Sequence, residues 1–379
     1  MKENQNRSTS CQGVLAYSMD ADELRAIRAA GQRLDTGRRP GSASDVVRHL
    51  VAVQAQDMAA AALGVAVRAD DLTIAAIDAA RNEERSIVRL WCLRGTLHLV
   101  AAEDAHWMLE LVRPRLGTAN RRRRAELGLD DADTERGVRV IAQSLEADGP
   151  LTRAQIAERL RRSGIASEGQ ATIHLIWRAA VDGLVCYGPD HEGEETFVTL
   201  DDWVPVHQRA SPPDAALEVA RRYIAAYGPA TDEDFGVWSG LPRREVSRAW
   251  SALRTEVSTV STPYGEMLLS GRPAVGGHRV LRLLPGFDGL WVGYRQHEVF
   301  LQREYHRRVF PGGGIIRSLV FADSHIAGVW ARRAAGQRVD VSVDLFEAVD
   351  QDALAAAVAD YGRIAGRAVR LVPEVTPRR

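Results

Sequence analysis

One order of predicted elements occurs three times along the chain: helices, a turn and then a β-hairpin. The first copy ends in SIVRLWCLRGTLHLV, where the apolar period changes from helical spacing to two, around Arg94 and Gly95. The second copy runs from GPLTRAQIAERLRRSGI to EETFVTL, and the third from PPDAALEVARRYIAAYG to STVSTPYGEMLLS. Because helix, turn, helix and hairpin is the order of a winged helix, we predict three tandem winged-helix domains.

The character of the sequence changes from about residue 280. GIIRSLVFADSHIAGVWARR predicts a pair of strands around ADSH, RVDVSVDLF predicts another strand, and DQDALAAAVADYGRIAG predicts a closing helix. The predicted fold class is mainly α with β-hairpins (α+β), with three tandem winged-helix domains and a C-terminal β-containing element. The predicted boundaries are a disordered tail at 1–19, winged helices at 20–125, 126–210 and 211–275, and a C-terminal α+β element at 276–379.

Composition excludes several classes of protein. No stretch approaches the roughly 18 apolar residues that span a bilayer, and the polar N-terminus lacks the apolar core of a secretory signal. Three cysteines, Cys11, Cys92 and Cys186, lie far apart, and neither HExxH nor CxxC occurs. This pattern argues against a disulfide framework and a zinc cluster. We therefore expect a cytoplasmic protein without a membrane segment, a metal or a cofactor.

The segment VAVQAQD, residues 51–57, ends a predicted helix and places Gln54 and Gln56 two residues apart. On a helix such positions point nearly opposite ways, whereas on extended backbone they point the same way. One interpretation is a pair of amides that orients a water or a ligand, with Asp57 beside it as a possible base. In the other, Gln54 satisfies a backbone carbonyl and Gln56 is merely exposed.

The first hairpin carries a group of polar residues. Thr96 and His98 share one face of the predicted strand, next to Arg94 at the turn. A basic, polar wing tip of this kind is suited to contact a nucleic-acid backbone, since arginine and histidine can donate to phosphate. An ordinary solvated hairpin is the alternative.

Basic charge is unevenly distributed along the chain. The net charge of −1 gives no indication of nucleic acid, but LVRPRLGTANRRRR, residues 111–124, holds six arginines and no acid. Arg121, Arg122, Arg123 and Arg124 form its end. They are expected either to contact DNA phosphates with release of counterions or to form a solvated helix face.

Three blocks of sequence together resemble one family. LVAVQAQDMAAAALGV, WCLRGTLHLV and LLPGFDGLWVGYR…VFPGGGIIRSLVFADSHIAGVW occur in family order over roughly residues 45–335. They are similar to the winged-helix proteins related to the azinomycin-resistance (AlkZ-like) DNA glycosylase. The resemblance implies a concave DNA-binding surface made of three winged helices and a β-rich C-terminal element. It also implies excision of N7-alkylated purines, including bulky antibiotic adducts and, in some members, interstrand crosslinks.

The resemblance also implies site residues. The family's catalytic pattern of glutamine, apolar residue and glutamine falls on Gln54, Ala55 and Gln56. Its hairpin motif, a histidine followed by apolar residues near the lesion, begins here at His98.

The function expected from this resemblance is a monofunctional DNA glycosylase. It would hydrolyse the N-glycosidic bond of N7-alkylated guanine, act as a monomer on double-stranded DNA, and need no obligate protein partner. The chemistry fits, because an N7-alkylated guanine is already a good leaving group and two amide oxygens can place a water. Lys2 is the only lysine of the sequence and lies in the predicted tail. Outside that tail, no lysine is available to form a Schiff base with the sugar. Two other classes remain open: a winged-helix transcriptional regulator, and a non-catalytic protein that sequesters an adduct or drug.

Overall fold

The computed structural model describes residues 17–35, 41–204, 211–271 and 280–373, which form a mixed α/β fold. Three sheets of three strands and one sheet of five strands organise these residues. Cys11, Lys2 and most of the predicted tail lie outside the described residues. No helix in the described ranges has the length and apolar character to cross a membrane.

The first segment supplies the strand that carries Gln54. Side chains of Asp20, Ser42, Asp57 and Thr73 cap four of its helices by accepting from backbone N–H groups, as N-cap residues do. Its elements are β1 (Tyr17–Ser18), α1 (Ala21–Gly31), α2 (Ala43–Leu50), β2 (Val53–Gln54), α3 (Met58–Ala66), α4 (Ile74–Asn82), β3 (Ile87–Cys92), β4 (Thr96–Ala101) and α5 (Ala105–Leu116). Three of the strands form an antiparallel sheet in the order β2-β4-β3.

The second and third segments repeat this arrangement of helices beside a three-stranded sheet. The second contains α6 (Arg121–Glu126), α7 (Asp131–Asp148), β5 (Leu151–Thr152), α8 (Arg153–Arg162), α9 (Ala171–Val181), β6 (Val185–Tyr187), β7 (Thr196–Thr199) and α10 (Leu200–Trp203). The third contains α11 (Ala215–Tyr227), α12 (Asp232–Ser239), α13 (Arg243–Leu253), β8 (Ser258–Thr262) and β9 (Gly265–Leu269). Their sheets have the orders β5-β7-β6 and β1-β8-β9.

Strand β1 lies within the tail that the sequence predicted to be disordered, residues 1–19. It pairs in parallel with β8, and the following residue, Met19, is buried in the core. The prediction of a disordered tail is therefore wrong for residues 17–19. A two-residue strand that pairs with a partner more than 200 residues away has no local sequence signal, because its hydrogen bonds depend entirely on the distant edge.

The C-terminal element is built on the five-stranded sheet. Its elements are β10 (Leu281–Leu284), α14 (Gly289–Val292), α15 (His306–Val309), β11 (Ser318–Ala322), β12 (His325–Ala335), β13 (Arg338–Leu345), α16 (Gln351–Ala365) and β14 (Ala368–Val372). The sheet has the order β10-β11-β12-β13-β14. The predicted strand pair around Asp323 and Ser324 is confirmed as β11 and β12. Strand β14, which pairs in parallel with β13, was not predicted from the sequence.

A buried ion pair joins the C-terminal element to the first segment. The Arg68 guanidinium, just after α3, donates to both carboxylate oxygens of Asp288 at 2.8 and 2.6 Å, and both side chains are at most 1% exposed. Burial acts to lower the pKa of Arg68, but the charge and hydrogen bonds of Asp288 outweigh it and the pKa is raised. The remaining guanidinium N–H groups donate to the carbonyls of Gln32 and Gly64, which satisfies them.

Gln32 extends this network into the third segment. Its amide nitrogen donates to the Tyr294 hydroxyl at 3.0 Å, and that hydroxyl donates to the carbonyl of Tyr227 at 2.8 Å. Three separate parts of the chain therefore meet in one hydrogen-bonded cluster.

Replacing Asp288 with alanine is expected to destabilise the fold strongly, because Arg68 would remain buried without a counter-charge. The free energy of unfolding should fall by about 3–5 kcal/mol, measured by urea denaturation near neutral pH. Glu158→Ala, which breaks an exposed pair with Arg161, is the control and should leave the free energy of unfolding nearly unchanged, because solvent screens such pairs. Equal losses in the two variants would contradict the assignment of Asp288 as a structural anchor.

Candidate active site around the paired glutamines

The backbone turns sharply between α2 and the glutamines. Val51 caps the helix with a φ of 69°, a left-handed conformation that is unfavourable for a β-branched residue. The chain then extends as β2, where Gln54 lies opposite His98 of β4. The Ala55 N–H donates to the carbonyl of Leu97 at 2.8 Å and continues the pairing by one residue. The sequence predicted a helix that ends within residues 51–57, whereas α2 already ends at Leu50 and Gln54 lies on a strand.

Ala55 separates the two amides and holds them on one side of the chain. Its side chain is fully buried, and its carbonyl accepts from the Arg89 guanidinium at 2.9 Å. Gln54 is half-buried and Gln56 is exposed. The Gln54 amide nitrogen donates to the Gln56 carbonyl oxygen, so the two amides are in direct contact. Among the described residues, the side-chain partners of Gln54 are Gln56 and Arg94, and its amide donates to no backbone carbonyl.

Arg94 determines the orientation of both amides. Its guanidinium donates to the Gln54 carbonyl oxygen at 2.7 Å and also to the backbone carbonyl of Trp238. A guanidinium has only donors, so the atom it contacts on Gln54 is the oxygen, and the nitrogen is left to face Gln56. The resulting order of donation is Arg94 to Gln54 to Gln56. Each carbonyl oxygen keeps a second lone pair for another donor.

The charge of Arg94 is held without a carboxylate partner in the described part of the chain. Burial lowers the pKa of this guanidinium. The turn after α12 packs tightly on it: a Cβ placed on Gly240, whose φ is 66°, would lie 3.0 Å from the Cα of Arg94. The third segment therefore fixes the position of a cation beside the glutamines.

His98 is neutral and buried. It is 2% exposed, and burial, with a smaller effect from the charge of Arg94, lowers the pKa of its imidazole to about 3. Its Nδ1 lies 2.9 Å from the carbonyl oxygen of Thr96, which can only accept, so Nδ1 carries the proton. Nε2 is therefore an acceptor, and His98 cannot donate to a phosphate from that nitrogen as was expected from the sequence.

The hairpin of β3 and β4 is neither protruding nor solvated. Nearly all of its strand residues are buried, and the Thr96 hydroxyl is buried with no hydrogen-bond partner among the described residues. Only the turn residues Arg94 and Gly95 and the adjacent Thr96 are partly exposed. The prediction of an exposed polar wing tip was wrong for His98, because the sheet packs between helices of its own segment and the second segment.

A narrow cleft opens beside Gln54. Its walls come from three parts of the chain that are distant in sequence: Gln54, Arg94 and His98; Tyr227 and Trp238; and residues 285–289, which face Arg68. The space inside is about 10 Å³, which is close to the volume that one water molecule needs. Asp288, for which the sequence suggested no role, both lines this cleft and caps α14 by accepting from the Leu290 N–H.

The arginine run forms the short helix α6. Arg121 pairs with Asp131, and Arg122 and Arg123 pair with Glu126, and all three arginines are exposed. Arg124 is different: it is 2% exposed and donates to the carbonyl of Ala119 at 3.0 Å. Because its side chain points inward, the expectation of a phosphate contact does not fit Arg124.

The described residues contain no cluster of histidine, cysteine and carboxylate side chains that could hold a metal ion. Cys92 and Cys186 are buried free thiols, and burial raises the pKa of Cys92 to about 12. These thiols are therefore poor nucleophiles and poor ligands.

Comparison with known proteins gives a consistent result. The family model described as "DNA glycosylase AlkZ-like" matches residues 47–364. The interstrand DNA cross-link repair glycosylase of Streptomyces sahachiroi is 32% identical over 340 residues, which cover 80% of this chain and 86% of that protein. Among solved structures, the DNA glycosylase AlkZ of the same organism is 26% identical with a TM-score of 0.77, over 94% of this chain and all of that one.

The buried neutral His98 is expected to make stability depend on pH. The unfolded imidazole takes up a proton near pH 6.5 while the folded one stays neutral until about pH 3, so stability is fully present above pH 6.5 and is lost as pH falls. Below about pH 6, the free energy of unfolding should fall more steeply in the wild type than in His98→Gln, by about 1.4 kcal/mol per pH unit.

Urea denaturation at a series of pH values measures this difference. His191→Gln removes an exposed histidine and serves as the control. If the wild type and His98→Gln have parallel profiles, His98 is not held neutral by the fold.

Proposed function

The chain belongs to the DNA glycosylase AlkZ-like family, and we propose that it hydrolyses the N-glycosidic bond of N7-alkylated guanine in double-stranded DNA. The observation that carries this proposal is the pair of amides oriented by Arg94, of which Gln54 lines a cleft with room for one water. The regulator and sequestration alternatives are not favoured, because neither needs two oriented amides beside a water site.

We further infer that each small sheet with its helices is a winged helix. In each segment, helices precede or flank a hairpin. A short third strand pairs with one strand of that hairpin; it belongs to the same segment in the first two sheets and is β1, at residues 17–18, in the third. This order matches the winged helix. The segments at 20–125, 126–210 and 211–275 remain the proposed domain boundaries.

The charge of the lesion supplies most of the activation in this mechanism. Alkylation at N7 makes the guanine cationic. When the bond from C1′ to N9 breaks, its electron pair passes to the base, which leaves as a neutral molecule. The sugar becomes an oxocarbenium-like cation. A water oxygen then bonds to C1′, and the water loses one proton.

The two amides would place that water. A water molecule can donate one hydrogen to the free lone pair of the Gln54 oxygen and the other to that of Gln56. Its own lone pair then points away from both amides, towards the sugar. Carbonyl oxygens also face a developing positive charge favourably, so their effect is greatest in the transition state. Asp57, which caps α3 and is exposed beside Gln56, offers a carboxylate for the departing proton.

The reaction is proposed to be monofunctional. The described residues contain no lysine that could form a Schiff base with the sugar, and Lys2 lies outside them. Hydrolysis by water therefore leaves an abasic site without cleavage of the strand through a lysine amine.

The cleft is too small for a guanine base, which suggests how a bulky lesion is accommodated. A space near 10 Å³ holds a water and not a flipped purine. We propose that an adducted base, or a crosslinked one such as the name of the Streptomyces sahachiroi relative indicates, stays outside the cleft on a concave DNA-binding surface. The protein would act as a cytoplasmic monomer.

DNA contacts are proposed at two places. Next to the cleft, the proposed contact is Arg94, which has N–H groups beyond those bonded to Gln54 and Trp238. The His98 ring and the Thr96 hydroxyl, which lie beside it in the hairpin, are buried. Further away, Arg121, Arg122 and Arg123 are exposed and can exchange their carboxylate partners for phosphates.

Gln54→Ala and Gln56→Ala are each expected to slow excision of an alkylguanine by about 10²–10³, because each removes a contact to the attacking water. Single-turnover assays on a duplex with one N7-alkylguanine, followed by heating in alkali, measure the rate. The double variant should lose less than the two effects combined, since both amides serve one water.

Gln143→Ala, at an exposed glutamine of α7, is the matched control and should excise at the wild-type rate. The proposed site is abandoned if both glutamine variants also do so. Thermal unfolding distinguishes a structural role, which would lower the melting temperature of Gln54→Ala while Gln56→Ala stayed active.

Replacing Arg121, Arg122 and Arg123 together with alanine is expected to weaken binding to all DNA sequences alike, because phosphate contacts carry no base information. The slope of log affinity against log salt should become shallower by about one for each phosphate that is no longer bound. Fluorescence anisotropy on two unrelated undamaged duplexes measures both quantities. An unchanged slope would mean that these residues form only a solvated helix face.

A further inference from the structure

The hairpin of β12 and β13 extends beyond the rest of its sheet. Register places Trp330 of β12 opposite Ser318, where β11 begins, and residues 331–335 continue past that point. They pair only with β13, which in turn pairs with β14 from Arg338 to Ser342. At about 3.3 Å per residue, this three-stranded extension reaches about 16 Å beyond β11.

The extension points from the end of the sheet that carries the cleft. β10 runs antiparallel to β11, so the carboxyl end of β10 lies beside the start of β11. The Trp330 indole donates to the carbonyl of Leu284, the last residue of β10, at 2.7 Å. Residues 285–288, which line the cleft, follow directly. DNA that lies at the cleft can therefore continue along the hairpin.

One face of the extension is covered by α16. Tyr361 packs edge-on against Trp330 at 5.1 Å between ring centroids and its hydroxyl accepts from Arg332. A Cβ on Gly362 would lie 2.9 Å from Val369 of β14, which shows how closely the helix approaches the strands. Because side chains alternate along a strand, the neighbouring residues point to the other face.

The other face carries more positive than negative charge. Arg333, Asp340 and Arg370 stand in one row across the three strands, and Arg338 lies on the same face of β13. The guanidinium groups of Arg333, Arg370 and Arg338 approach the single carboxylate at 3.7, 3.2 and 3.4 Å respectively, yet these side chains remain 72%, 53% and 49% exposed. Three cations share one anion, so most of their hydrogen-bonding capacity is still available.

The chemistry of this face fits a phosphate backbone better than a protein. The side chains between the arginines are small, Ala331, Ala335 and Ala368, so the face offers no aromatic or large aliphatic anchor of the kind that protein partners need. Small side chains also let a charged backbone approach the strands closely. Planar guanidinium groups match phosphate oxygens in pairs.

We propose that this face, defined by Arg333, Arg338 and Arg370 around Asp340, binds the phosphate backbone of the duplex beside the lesion. The proposal rests on the proposed function for the identity of its ligand. It adds a third point of contact, on the C-terminal element and at a distance from the glutamines, that holds one arm of the DNA. Among the described residues, no carboxylate other than Asp340 lies in this group, and the next acid along β13, Asp344, already pairs with Arg308.

The test compares two variants with the same change in net charge. The first, R333Q/R338Q/R370Q/D340N, removes the three cations together with the anion that they would otherwise leave buried and unpaired. The second, R161Q/R162Q, removes two exposed arginines of α8 that share Glu158. Each loses two positive charges overall, so any difference between them reflects position. Circular dichroism melts verify folding.

Anisotropy titrations with an undamaged duplex of about 25 base pairs, over a range of NaCl concentrations, give the salt slope. In the four-residue variant, the magnitude of the slope of log affinity against log salt should fall by about three, and binding at low salt should be roughly tenfold weaker. R161Q/R162Q should match the wild type in both quantities. A second duplex of about nine base pairs carries a central lesion, and its arms reach only about 14 Å from that lesion. On this short duplex, the four-residue variant and the wild type should have the same affinity and salt slope. Asp340→Asn alone should steepen the slope on the long duplex.

Two results would overturn the proposal: a wild-type slope in the four-residue variant, or an equal loss in R161Q/R162Q, which would assign the effect to net charge. If the four-residue variant does not fold, Arg333→Gln is tested instead. It should reduce the magnitude of the salt slope by about one, and an unchanged slope would equally overturn the proposal. Excision by the wild-type protein is measured separately. Absence of excision with a position-dependent salt slope would refute the proposed glycosylase reaction and leave this DNA contact standing.

Discussion

The buried pair of Arg68 and Asp288 is the interaction on which the geometry of the candidate active site depends. An isolated charge in this position would be strongly unfavourable, so neither residue can be buried unless the other is in place. The first segment and the C-terminal element must therefore dock in one arrangement, with residues 285–289 facing Gln54. The Gln32 and Tyr294 hydrogen bonds extend the same constraint to the third segment. The cleft thus exists only in the assembled fold.

Around this anchor, the groups proposed to place the attacking water do not change charge. The amides of Gln54 and Gln56 cannot ionise, and His98 is held neutral by burial. Arg94 brings a permanent charge, but that charge orients an amide and takes no part in proton transfer. The positions of the two amides are set by the extended backbone of β2 and by the hydrogen bond from Arg89 to the Ala55 carbonyl. In the proposed mechanism this geometry takes the place of a general acid for the leaving group. Such a site suits a reaction whose leaving group needs no protonation.

Local sequence patterns predicted the elements that have local causes. The start of α2 at the Ser42 cap, the strands on either side of Arg94 and the strand pair around Asp323 follow from period, caps and turn residues. The end of α2 at Leu50 was predicted several residues too late. The contacts of Arg68 with Asp288, of Trp238 with Arg94 and of Tyr227 with Leu50 could not be predicted from the sequence. Each joins residues more than 100 positions apart, and no local period marks them. The same is true of β1 and β14, whose partners are distant or parallel strands. Arg124 and His98 were expected at a surface because they are polar, yet hydrogen bonds to nearby carbonyls permit their burial.

The absence of an ionisable acid in the two-glutamine motif has a consequence for fidelity. An enzyme that protonates its leaving group lowers the barrier for damaged and intact bases alike, and must reject intact bases by the shape of a pocket. Under the proposed mechanism, a site made of neutral amides gives an unmodified guanine no help in departing. Discrimination then lies in the chemistry of the lesion itself. Such a protein can accept adducts of very different size and still leave undamaged DNA intact.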